Sequence, residues 1–311
     1  MKNLISTIKV GKHGVLALLF SLAGMSSYAQ QDAMFSQYMF NMLPVNPAYA
    51  GTSNVINFAA LRRWQWVGIE GAPRTLTVSA DAPFLKERMG LGITFINDQI
   101  GVTKSNSAYV SYSYRIKFLS GGTLSFGLQG GFANYQANLA SLFTTQIGDP
   151  TFSSNINSWL PNVGGGLYYS TERFYAGISA PHLINNALSP GTPSVQRRHY
   201  FAMTGYVFHP SANFAVKPSL LAKYVEGSPL QLDFNFNVWY HDKISAGISY
   251  RTGDAIVGML QFMPTNQLRI GYAYDFTLTQ LQTYNSGSHE LMIGYTLAAY
   301  NKDRIVTPRY F

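Results

Sequence analysis

The chain has 311 residues, of which 47% are hydrophobic and 14% aromatic but only 12% charged, with a formal net charge of +8 and no cysteine. Charge at half the usual share of about 25% is sparse for a water-soluble surface. No polybasic block marks a nucleic-acid binder, and the lack of cysteine excludes thiol catalysis and a disulfide-stapled fold.

Lys2, Lys9 and Lys12 precede the apolar run GVLALLFSLA (14–23), and SSYAQ follows with Ser27 and Ala29 placed for cleavage. That pattern predicts a signal peptide over residues 1–29, because the run is shorter than the roughly 20 apolar residues a spanning helix needs. The exported chain then begins at Gln30.

Residues 30–53 form the next unit, an N-terminal periplasmic or lumen-plug segment. QDAMFSQYMFNMLPVNPAYAGT (31–52) is rich in aromatics and methionine and is broken by Pro44 and Pro47. It is neither a clean strand nor a clean helix, and NPAYAG reads as a turn feeding a strand. Its apolar residues need cover from a lumen, a membrane surface or a partner.

Residues 54–297 alternate apolar and polar side chains again and again, followed by a tail at 298–311. In LQLDFNFNVWY (230–240), Leu230, Leu232, Phe234, Phe236, Val238 and Tyr240 share one face, with Gln231, Asp233, Asn235 and Asn237 on the other. Period-two alternation makes a strand with one greasy and one wet face. Similar segments lie near 55–63, 74–81, 89–97, 108–118, 123–134, 161–170, 173–180, 199–208, 214–225, 243–251, 255–263, 268–276 and 289–297. The expectation is an all-β fold, a transmembrane antiparallel β-barrel of about 14 strands with its greasy face to lipid, since a closed barrel leaves no unpaired edge in hydrocarbon. The polar register predicts a lumen lined by Arg115, Lys117, Asp233, Arg251, Arg269, Asp275 and Glu290. Glycines at 127, 130, 131, 164, 165, 166 and 177 mark bends or room for something inside.

The connections sort by length. Six short ones (APFLKER, SGG, TER, HPSAN, HDK, PTNQ) fall on one side, and the other side has long ones near 136–160, 181–198 and 277–288, with only GSP and TGD short, as in barrels with short periplasmic turns and longer extracellular loops. Tyr168, Tyr169, Tyr240, Tyr250, Tyr295 and Trp239 near strand ends suit the headgroup level or a core. The histidines after the signal (182, 199, 209, 241 and 289) form no metal-ligand spacing. No serine lies in a nucleophile-elbow context, so the expectation is a protein that is not an enzyme and holds no cofactor or metal.

FSQYMFN (35–41), NPAYAG (46–51), RWQWVGIEGAPRT (63–75), HELMIGY (289–295) and the final PRYF (308–311) together resemble the PorP/SprF-type outer-membrane proteins of the Bacteroidetes type IX secretion system. In the first two motifs the matching residues are Phe35, Tyr38, Asn41, Asn46, Pro47, Tyr49 and Gly51. The resemblance implies an outer-membrane location and a role in protein secretion and gliding motility. It implies binding of the C-terminal domain of a large secreted adhesin, aiding its export or surface anchoring, with periplasmic secretion components as further partners. By that likeness Arg63, Trp64, Gln65, Trp66, Gly68, Glu70, Pro73 and Thr75 match a family signature at the top of the first hairpin, and all of these but Thr75 are the expected partner-binding residues. The residues themselves leave two readings: an interface hot spot, or lipid-interface anchors at Trp64 and Trp66 with Arg63 and Glu70 pairing locally. An open diffusion channel or small-solute transporter is the alternative function.

Overall fold

The computed structural model describes residues 34–53, 55–85, 87–119, 121–142, 154–188 and 194–298. The expected signal peptide and all of the tail beyond Ala298 lie outside the described residues.

Alternating sequences become strands at Val55–Trp64 (β1), Arg74–Phe84 (β2), Met89–Ile100 (β3), Thr103–Lys117 (β4), Thr123–Ala137 (β5), Ile156–Ser170 (β6) and Phe174–Ala180 (β7). They continue through His199–Tyr206 (β8), Phe208–Ser211 (β9), Phe214–Val225 (β10), Gln231–Tyr240 (β11), Ile244–Arg251 (β12), Ala255–Phe262 (β13), Leu268–Thr277 (β14) and Ser288–Ala298 (β15). β8 and β9 are one stave interrupted at Val207, because both pair with β10. The staves therefore number 14. Each neighbour pair is antiparallel, and β15 pairs with β1 while β10 pairs with β11, which closes the sheet into a barrel. No helix among the described residues is long and apolar enough to cross a membrane.

Pleat and register send the two faces to different solvents. In β11, Phe234 and Phe236 are each 49% exposed on the outer wall, whereas Asp233, Asn235 and Asn237 are buried inside. The same inversion of a soluble protein holds around the ring: Val110, Phe126, Leu128, Ile248, Leu260 and Phe262 all stand exposed outward. An outer surface this apolar is stable only in hydrocarbon.

The connections at one end are short, while the other end carries 65–73, 138–155, 181–198 and 278–287. That asymmetry makes the short-turn end periplasmic. Two strands run longer than the alternation predicted. β3 and β4 run past residues 97 and 108 and meet in the two-residue turn Gly101–Val102, so this sector of the wall is taller than the alternation of its apolar residues suggested.

Residues 34–53 fill the interior. Two single turns, Tyr38–Phe40 and Pro47–Tyr49, fold the segment into a compact body. Its Tyr38, Met39, Met42, Leu43, Val45, Ala48 and Ala50 join inward-facing Tyr168, Tyr175, Met203, Trp239 and Met259 in one buried cluster. Tyr168 and Trp239 thus face the lumen and not the headgroups; Tyr49 meets Tyr168 edge-on at 5.6 Å, and Phe40 meets Trp239 at 6.2 Å.

Candidate functional site

The inner segment is clasped at its outer end by charge. Glu290 of β15 accepts hydrogen bonds from the backbone N–H groups of Ser36 and Gln37, both at 2.8 Å. Arg63 of β1 bridges Glu290 at 3.0 Å and Asp275 of β14 at 2.8 Å. Ser36 donates its hydroxyl to Asp275 and accepts from Arg63 at 3.0 Å and from Arg251 at 3.1 Å. Arg251 in turn reaches Asp233 at 3.2 Å and Asp254 at 3.1 Å. Buried ions of both signs, each hydrogen-bonded, hold one turn of the inner segment in one place.

Below the clasp, wall side chains take up the polar backbone of the segment, as buried carbonyls and amides require. Ser179 donates to the Val45 carbonyl and Ser113 to the Ala50 carbonyl, both at 2.7 Å. Asn46 donates to the Leu167 carbonyl at 2.9 Å and accepts from its own turn at Ala48 N, 3.0 Å away. Near the periplasmic end Gly51 N–H meets Asp81 at 2.8 Å, and Arg115 donates to the Gly51 carbonyl. Several wall glycines exist for this approach. A Cβ on Gly127 would land on the backbone of Pro47 and Ala48, one on Gly90 on the Ala50 carbonyl, and one on Gly166 on the Asn46 amide.

Among the predicted lumen residues, Arg115, Asp233, Arg251, Asp275 and Glu290 are buried inside and contact the inner segment or one another, and Arg269 lies over the Phe40 ring at 6.0 Å. Lys117 is a correction: it sits half-exposed at the end of β4, on the periplasmic rim, and pairs with Glu87 at 2.7 Å. Phe35, Tyr38, Asn41, Asn46, Pro47, Tyr49 and Gly51 all belong to the inner segment and are all buried; Gly51 takes a left-handed φ of 66° at its exit.

The hairpin signature divides. Arg63 is buried in the clasp, so it is neither a surface contact nor a local partner of Glu70, and Thr75 is buried beside Asp98 at 2.6 Å. Trp64 and Trp66 do not share a register, because β1 ends at Trp64 and Trp66 turns away with φ 50°. Gln65 and Pro73 are bonded across the base of the loop, and Gly68 and Glu70 stand exposed. Trp66 N–H donates to Ser288, and Val67 exchanges backbone bonds with Ser286 and Gly287, so this loop is stapled to 278–287. The pair presents Val67, Leu278, Leu281 and Tyr284 to the outside, Tyr284 being 75% exposed. The sequence placed 277–288 among the long external connections but named none of its residues as partner-binding, their only cue being LTQLQTY with apolar residues outside any strand.

A cleft of about 150 Å³ lies at the external mouth between the start of the inner segment and the tall wall, lined by Met34, Phe35, Tyr38, Ile100, Tyr135 and Leu188. The histidines are scattered: His289 points outward with Nδ1 2.6 Å from the Tyr272 hydroxyl, and no cluster of three His, Asp or Glu suited to a metal ion is found among the described residues.

Solved structures share the architecture. The CymD monoaromatic hydrocarbon channel superposes with a TM-score of 0.50 at 13% identity, over 90% of this chain and 97% of that one. The outer membrane protein Omp33 of Acinetobacter baumannii gives 0.46 at 10% identity over 78% and 98%, and the KdgM porin 0.39 at 12% over 78% and 99%. At 13% identity the likeness to CymD is one of fold alone. None of the curated proteins compared is similar in sequence. Residues 27–295 match the family described as the type IX secretion system membrane protein PorP/SprF. With the barrel closed, its outer wall apolar and the match spanning nearly all of it, the chain belongs to the PorP/SprF family of type IX secretion system proteins and resides in the outer membrane.

Proposed function

We propose that this barrel works by partnership and not as a conduit: it binds the C-terminal domain of a secreted surface adhesin at its external mouth and assists that protein's export or anchoring. The observation that carries the reading is the filled lumen beneath a mouth with exposed apolar loops. A lumen-filling segment clasped by Glu290, Asp275 and Arg63 supports a blocked rather than a conducting barrel. The stapled loops offer Val67, Leu281 and Tyr284 beside polar Glu70, an apolar centre with a polar rim of the kind protein interfaces use. Arg63 has no place in that interface; its part is to hold the inner segment. The chain acts without catalysis or cofactor in this reading, and periplasmic secretion components engage the short-turn rim.

Affinity purification of the tagged protein from native outer membranes tests the proposal. The expected result is co-purification of a large secreted protein, lost when that protein's C-terminal domain is deleted. Recovery of the barrel with no secreted protein, while adhesins stay secreted and surface-held in a deletion strain, overturns it.

A further inference from the structure

The outer wall of the tall β1–β6 sector changes character along its height. One ring of outward residues, Ala60, Val78, Phe95, Ala108, Phe132 and Pro161, is apolar throughout and in register across the strands. One pleat further toward the external end the ring reads Arg62, Leu76, Asn97, Asn106, Asn134 and Trp159. The next reads Trp64, Arg74, Gln99, Lys104, Gln136 and Asn157. The hydrocarbon boundary therefore crosses this sector between the first and second rings. Trp159, exposed and packed on Phe132 at 5.3 Å, marks the headgroup level there.

Two features make the upper rings more than a wet strand extension. Arg62, Arg74 and Lys104 are exposed on the outer wall, the two rings hold no acid, and none of the three cations pairs with an acid among the described residues. Arg62 and Arg74 stand on adjacent strands two residues out of register, a diagonal of about 7–8 Å, and Lys104 lies two strands, about 10 Å, from Arg74. Arg62 is further held over the Trp64 ring at 5.3 Å. On the opposite wall the outward residues at the external ends of β10, β12 and β14 are Tyr224, Tyr250 and Phe276, aromatic where this sector is cationic.

We propose that Arg62, Arg74 and Lys104, backed by the Asn and Gln side chains of β3–β5, form a binding site for the phosphorylated headgroup of an outer-leaflet glycolipid. Guanidinium groups match phosphate oxygens bidentately, an ammonium adds a point charge, and amides suit sugar hydroxyls. The acyl chains continue down the apolar ring formed by Val78, Phe95 and Phe132. A cationic girdle at headgroup height attracts anionic lipid by charge complementarity.

The test uses the purified full-length barrel with monophosphoryl lipid A and, separately, the same lipid without its phosphate, and counts bound lipid by native mass spectrometry. The wild type should prefer the phosphorylated form by at least ~10-fold. The R62Q/R74Q/K104Q variant should lose that preference while keeping the heat-modifiable gel migration of a folded barrel. Equal binding of both lipids by the wild type overturns the proposal, as does undiminished preference in the folded variant. If the triple variant fails to fold, the wild-type comparison decides with K104Q alone, which should show a reduced preference.

Discussion

Removing the Glu290 carboxylate should release the outer end of the inner segment without opening the barrel wall. In Glu290→Ala the backbone donors of Ser36 and Gln37 lose their 2.8 Å acceptors, and Arg63 loses one of its two buried carboxylates. Breaking a buried ion pair costs about 3–5 kcal/mol, and a charge-assisted hydrogen bond is worth about 1.5–3 kcal/mol. These overlap, because the same two oxygens make all three contacts, so the total is about 3–5 kcal/mol. At about 1.4 kcal/mol per decade, local opening of residues 35–42 becomes two to nearly four orders of magnitude more frequent. Glu290→Gln, which keeps the volume and one acceptor, should lie between. Hydrogen exchange of the amides of residues 35–42 in lipid nanodiscs measures it directly, with heat-modifiable migration reporting the barrel. Unchanged protection of Ser36 and Gln37 in Glu290→Ala would refute the clasp.

Phe236→Arg, mid-strand on the lipid face of β11, should cost about 2–4 kcal/mol in urea unfolding from vesicles, whereas Asn106→Arg, one ring above the apolar boundary, should cost about 0–1 kcal/mol; equal costs would misplace that boundary. Gly127→Leu forces a side chain onto Pro47 and Ala48, and overpacking of about 1–3 kcal/mol should appear as lost exchange protection at residues 46–50 in a barrel that still migrates as folded. Val67→Asp combined with Tyr284→Ala should reduce recovery of the secreted partner by on the order of 10-fold with no change in barrel stability.

The staves were legible because lipid and lumen impose opposite demands on successive residues. In β11 Phe234, Phe236 and Tyr240 against Asp233, Asn235 and Asn237 announce both faces. Alternation fails as a signal where the wall rises out of the membrane: in 97–107 the outward Asn97, Gln99, Lys104 and Asn106 are as polar as the inward residues, so the strand is hidden though its ladder is intact. Arg63 was drawn to the surface by its neighbours in the hairpin motif. Its register with Val55, Asn57, Ala59 and Leu61 already pointed it inward, where Asp275 and Glu290 wait on strands more than 200 residues away in sequence. The Met and aromatic side chains of 34–50 signalled a need for cover. That the cover is the barrel's own lumen depends on backbone amides meeting Glu290 and carbonyls meeting Ser113 and Ser179, contacts that leave no trace in composition or periodicity. Asn235, read from the alternation only as a polar-face residue, likewise donates to the Tyr38 hydroxyl at 2.9 Å.

Single-channel recording of the purified wild-type protein in planar bilayers bears most directly on the claim that this barrel is a plugged scaffold for a partner. The account predicts insertion without steady ion conductance, because residues 34–53 occupy the lumen from Ser36 at the external clasp to Gly51 at the periplasmic exit. A stable, ohmic open state in the wild type, with residues 34–53 still protected from exchange, would contradict it and make the barrel a channel.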